Sequence, residues 1–162
     1  MARSVWRAFG LSADEARRRI WIVNRGGVLH SDRDGRALIA TGSPFEPVDF
    51  DRRKIPIAQC NNVYIFPAVG LGLIASGARR VTDKMMIAAA RALGENSPAL
   101  REPAAALLPS LKELPRVARE IAFVVGAEAQ RAGVADPSSE EELRARIKAT
   151  QWTPSYPVLE KA

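Results

Sequence analysis

Cysteine and histidine are almost absent from this chain: Cys60 and His30 are the only ones in 162 residues. A single cysteine excludes a disulfide within the chain and any cysteine-rich zinc site. It also points to a reducing, cytoplasmic setting. His30 sits in a turn-like stretch and reads as a turn or surface residue rather than a base or metal ligand. Aromatic residues make up only 6%, so the core has to be built mainly from Ala, Leu, Ile and Val. No apolar run is long enough to cross a membrane. "MARSVWRAFG" has basic residues but no sustained apolar stretch, so it does not read as a signal peptide. No internal repeat is visible.

What is present fits one soluble domain with a tail. Hydrophobic residues are 47% and charged residues 26%, which is too apolar for a disordered chain. The formal net charge is +6. A nucleic-acid or lipid partner is one explanation of such a surplus. Against it, the arginines are spread through helical stretches ("EARRRI", "GARRV", "RVARE", "RARIK") with acids among several of them. No aromatic RNA-binding signature or zinc pattern accompanies them, so neither a nucleic acid nor a membrane is the expected partner.

Residues 2–9 have the spacing of a short helix, and Ser12 with Glu15 has that of a capping box opening a second one through Arg19. "IWIVN" (20–24) is a short apolar, β-branched run ending at glycines, the pattern of a buried strand. "RALIATG" (36–42) reads as a second. The stretch between them has no room for a crossover helix, which parallel neighbours ordinarily need. Three prolines make 43–56 an irregular connection.

A helix is expected from Asn62 or Val63 through Ser76, with Pro67 in its first turns. Gly70, Gly72 and Gly77 within or beside it imply close backbone approach to another element or a ligand. Thr82 reads as the N-cap of "DKMMIAAARAL", with Met85 and Met86 in the core. A long helix follows from about Leu114 to Ala132, closed by Gly133, and Ser139 caps a last one. Trp152 and Tyr156 in the proline-containing tail are candidate docking residues. Cys60, with no base around it, reads as a small buried hydrophobe.

Two adjacent asparagines, Asn61 and Asn62, stand where the long helix is expected to begin. An Asn amide offers two N–H donors to a carboxylate, and a helix start adds backbone donors. On the residues alone, capping of the helix is the favoured explanation.

"GRALIATGSPFEPVDF" followed by "IPIAQCNNVYIFPAVGLGLIASGARRVTDKMMIAAARAL" resembles the C-terminal part of malic enzymes, as do "LLPSLKELPRVAREIAFVVGAEAQRAGVA" and "WTPSYP". "LSADEARRRIWIVNRGGVLHS" is similar to the family segment that leads into the second Rossmann strand. The resemblance implies an α/β fold: a partial, helix-rich Rossmann-like domain with few parallel strands. It divides the chain into a helix–strand remnant over 1–34, a C-terminal NAD-binding portion over 35–157 and a tail over 158–162.

By the same resemblance the family reaction is oxidation of malate by NAD or NADP and Mg- or Mn-assisted decarboxylation to pyruvate. It implies that Asn61, and then Asn62, bind the substrate. Asn24 stands where the family places an acid that receives both ribose hydroxyls; an amide oxygen only accepts, so nucleotide selectivity is expected to weaken. Ala68 replaces the usual glycine after Phe66–Pro67. Judged against the family, the catalytic domain, the glycine-rich phosphate loop and several strand–helix units near 31–34 have no counterpart here. No catalytic or metal-binding residue is therefore assigned. The expectation is a chain inactive alone; the alternative is an assembly protein that self-associates or joins a full-length malic enzyme.

Overall fold

The computed structural model describes residues 20–23, 38–50, 52–102 and 104–153. The helices expected over 2–9 and 12–19, and Asn24, His30 and Tyr156, lie outside the described residues.

Among the described residues, three short parallel strands form one sheet: β1 (Ile20–Val23), β2 (Leu38–Thr41) and β5 (Ile57–Gln59), in the order β1-β2-β5. β2 is buried along its whole length, as expected of a central strand made of Leu, Ile, Ala and Thr. The sequence reading found β1 and β2 but not β5, whose run is only three residues and follows Pro56, a residue that argues against a strand.

The connection from β2 to β5 is not irregular throughout. It contains an antiparallel ribbon, β3 (Val48–Phe50) and β4 (Arg53–Ile55), in which Asp49 faces Lys54 across the strands. Its turn passes through Arg52 in the left-handed region, φ 61°. Neither asparagine nor glycine signals that turn.

Among the described residues there are four α-helices: α1 (Phe66–Ser76), α2 (Asp83–Glu95), α3 (Leu114–Arg131) and α4 (Glu140–Thr150). α1 starts later than expected. Asn62–Tyr64 instead form a 3₁₀ turn, and Pro67 occupies the first turn of α1, where its missing N–H costs nothing. Gly77 closes α1 at φ 67°, with the Ala78 N–H donating to the Leu73 carbonyl at 3.0 Å. The other caps are as read: Thr82 Oγ1 accepts from the Met85 N–H, and Ser139 with Glu142 forms a capping box. Gly133 follows the end of α3 at φ 66°.

The main core lies where α1 and α2 pack on α3, around Ala68, Met85, Ala89, Val117, Ile121 and Val125. Successive helix positions are turned about 100° from one another, and here Met85 is buried while Met86 is exposed, which corrects the reading of both as core. Gly72 sits against α3 so closely that a methyl group there would lie 2.6 Å from the Ala122 carbonyl oxygen. Beside it, Ala75 and Ala122 meet Leu143 and Ile147 of α4.

The sheet has its own cluster. Leu38, Ala40 and Ala58 pack with Leu107, and Cys60 and Ala99 border them. The partner in that cluster is thus the connection between α2 and α3, rather than the long helices themselves. Trp152, read as a candidate docking residue, is 71% exposed. Its neighbour Gln151 is the anchor, donating to the Pro115 carbonyl and accepting from Arg119.

Candidate functional site at the carboxyl edge of the sheet

Register places Val23, Thr41 and Gln59 in one row at the carboxyl ends of the three parallel strands. Residues that immediately follow these ends share one edge of the sheet. After β5 come Cys60, Asn61 and Asn62, and after β2 come Gly42 and Ser43; Asn24 lies outside the described residues. The Cys60 N–H donates to the Thr41 carbonyl at 2.7 Å, carrying the pairing one residue past β5. The Thr41 hydroxyl turns back to donate to the Ser43 carbonyl at 2.7 Å. Thr41 was not singled out from the sequence. Its position one residue before Gly42, at the end of a buried run, was the available signal.

Of the two roles the sequence allowed, Asn61 is seen in one, the cap. Its backbone is extended, and its Oδ1 accepts from the Val63 N–H at 2.9 Å, capping the 3₁₀ turn. That bond uses the acceptor end of the amide. Among the described residues no hydrogen bond involves Asn61 Nδ2 or the Asn62 side chain, and both residues are exposed. Because α1 begins only at Phe66, the favourable end of its dipole is displaced from the asparagines. The backbone contribution expected from a helix start at Asn62 is not at that position.

Tyr64 fixes this segment from behind. Its hydroxyl donates to the Pro109 carbonyl at 2.5 Å, with both residues buried. Burial chiefly, and then Cys60 and Glu113, raise the phenol above its ordinary value. Burial likewise raises the Cys60 thiol, which keeps it protonated and a poor nucleophile.

The other candidate groups resolve into structure. Arg79 of "SGARR" is a clamp: its backbone N–H donates to the Val134 carbonyl, and its guanidinium reaches Asp136 at 3.1 Å and the Gly133 carbonyl at 3.1 Å. A groove of about 410 Å³ runs between α2 and α3, lined by Lys84, Ile87, Arg91, Val124, Glu128 and Arg131 among others. It shares no residue with the asparagine edge. Among the described residues no three His, Cys, Asp or Glu side chains converge as a metal site requires, and no helix is long and apolar enough to cross a membrane.

Parallel strands whose carboxyl ends carry the polar, exposed residues are the arrangement of a Rossmann-like nucleotide-binding domain. The family profile described as "Malic enzyme, NAD binding domain" matches residues 31–130, and the chain belongs to that family. It is 55% identical over 123 residues to an NAD-dependent malic enzyme of Edwardsiella ictaluri, covering 76% of this chain and 22% of that protein. It is 52% identical over the same length to one from Pseudomonas syringae pv. tomato, again covering 76% and 22%. Among solved structures, a malic enzyme from Pyrococcus horikoshii superposes with a TM-score of 0.52 at 29% identity, covering 70% of this chain and 23% of that one. The chain thus spans between a fifth and a quarter of the length of these relatives.

Proposed function

We propose that this chain supplies one wall of a malic-enzyme active site, the wall that grips malate or pyruvate by its carboxylate, and that alone it does not turn malate over. The observation behind this is the asparagine pair at the carboxyl end of β5. Asn61 spends its oxygen on a backbone cap and keeps its N–H donors for a ligand. A carboxylate accepts from amide donors such as these. Asn62 stands next to it, equally exposed.

NAD is the cofactor in the names of the relatives, and NAD or NADP is the class proposed here. Asn24, following β1, is the one residue assigned to the nucleotide. A sequence without a glycine-rich phosphate loop offers no place where a helix start meets the pyrophosphate, so affinity for the free nucleotide is low. Mg or Mn would stabilise the enolate formed on decarboxylation. The described residues do not fit such an ion. The single cysteine favours a reducing, cytoplasmic setting.

The experiment is a malate titration followed by ¹⁵N–¹H correlation spectra. Saturable shifts of the Asn61 and Asn62 side-chain amides support the reading; an unchanged spectrum at tens of millimolar malate removes it. A second reading, a non-catalytic assembly protein that self-associates or joins another malic-enzyme chain, is favoured by the large apolar side chains exposed on α1, Phe66 and Ile74.

A further inference from the structure

Asn61 and Asn62 lie in a short span that is pinned on both sides. Before them, Ala58 of β5 is buried in one cluster with Leu107, Leu38 and Ala40. After them, Tyr64 is buried and donates its hydroxyl to the Pro109 carbonyl at 2.5 Å. Leu107 and Pro109 stand two residues apart on the stretch that leads into α3. One piece of chain therefore holds both ends of the segment that carries the asparagines.

That piece is irregular, yet Leu107 and Pro109 are buried. Loops ordinarily run over the surface, because buried backbone groups need partners. Here each carbonyl meets a buried hydroxyl: Ser97 donates to that of Leu107 at 2.5 Å, as Tyr64 does to that of Pro109. Ser97 stands just past the end of α2, and Ser110 opens the turn into α3 through its capping box with Glu113. The stretch is thus braced to the helices on one side while it grips the sheet edge on the other.

We propose that residues 107–110 act as a strap that sets the amide donors of Asn61 and Asn62, with Tyr64 and Ser97 as its positioning residues. The inference rests on the carboxylate-gripping reading above and adds what holds the grip in place. The turn's own bonds are long: 3.5 Å from the Tyr64 nitrogen to the Asn61 carbonyl and 3.2 Å from the Ile65 nitrogen to that of Asn62. Local bonding of that length leaves the turn in need of outside support. Neither hydroxyl touches the ligand; each acts through the asparagines.

The test compares Tyr64→Phe and Ser97→Ala with Ser139→Ala, which loses the cap of α4 and serves as a control of comparable stability loss. Malate affinity is read from the Asn61 and Asn62 side-chain amides of the full chain. The order parameters of the same amides are measured without ligand. Tyr64→Phe and Ser97→Ala should each weaken malate about fivefold, the equivalent of one hydrogen bond. Both should also lower the Asn61 amide order parameter, which a loss of global stability alone does not do. Ser139→Ala should change neither. If Tyr64→Phe does not fold, Ser97→Ala decides. Parent-like affinity and order in the strap variants, or an equal loss in Ser139→Ala, overturns the proposal and leaves the malate reading intact. A parent that does not bind malate overturns that reading, and the order parameters then decide the strap by themselves: unchanged values overturn it as well.

Discussion

Gly72 on α1 touches the backbone of Ala122 on α3, with the Val125 side chain beside it; a Cβ at Gly72 would stand 2.6 Å from the Ala122 carbonyl oxygen and 3.0 Å from Val125. This contact sets the distance between the helix that follows the asparagines and the longest helix of the core. Gly72→Ala must push backbone against backbone, and overpacking of that kind costs about 1–3 kcal/mol. Gly70→Ala, two residues away and facing open space, should stabilise by about 0.5–1 kcal/mol through helix propensity alone. Urea denaturation of the two variants should move the midpoint in opposite directions.

The Tyr64–Pro109 hydrogen bond ties the asparagine segment to the connection before α3. Tyr64→Phe leaves a buried carbonyl without its donor, a loss of about 1–3 kcal/mol. Its titration adds a signature. The folded state raises the phenol above its ordinary value near 10. Its contribution is complete below that unfolded value and is lost as pH rises through the folded one. Cys60, also raised by burial, contributes to the same alkaline limb. Stability measured against pH should fall less steeply above about pH 9 in Tyr64→Phe than in the parent, and less again when Cys60→Ala is added.

Acid behaviour is set elsewhere. The Ser139 backbone N–H, and then its hydroxyl, holds the Glu142 carboxyl below the usual range. Ser110 does the same for Glu113, again through its backbone N–H first and its hydroxyl second. Both carboxylates stabilise the fold above their unfolded pKa near 4.3 and cease to do so as pH falls through their lower folded values. Glu142→Gln and Glu113→Gln together should flatten the acid limb of a stability–pH curve below about pH 5. Near neutrality the pair should lower the thermal transition only modestly.

Asn61 can be divided into its two roles. Asn61→Asp keeps an oxygen for the Val63 N–H but replaces the amide donors with charge of the ligand's own sign. Asn61→Ala removes both. Thermal unfolding should therefore separate the variants, with Asn61→Asp near the parent and Asn61→Ala lower, as loss of a cap costs about 0.5–2 kcal/mol. Malate titration should not separate them, since both lose the amide shifts. Binding retained by Asn61→Asp would mean that the residue is a cap and nothing more.

Much of this architecture is written in local patterns. Thr82, Ser139 and Gly133 mark helix ends because side-chain oxygens and left-handed glycine satisfy groups that any helix leaves open. The β-branched runs at 20–23 and 38–41 are legible for the same local reason. β5 was not, because three residues after a proline carry almost no pattern; what makes Ile57–Gln59 a strand is the neighbouring β2. The start of α1 was misplaced by three or four residues because Asn62 and Val63 look like a first turn, whereas Pro67 fits best where α1 does begin. The asparagines stood out as candidates through family resemblance and amide chemistry. That Asn61 turns its oxygen inward to Val63 came only from the structure.

Malate-dependent reduction of NAD or NADP by the purified chain, with Mn or Mg present, tests the central claim most directly. The expected result is no turnover above background at concentrations where malate shifts the Asn61 and Asn62 amides. Turnover that disappears in Asn61→Ala would contradict the account, because it would show chemistry being done by residues that these strands and helices do not bring together.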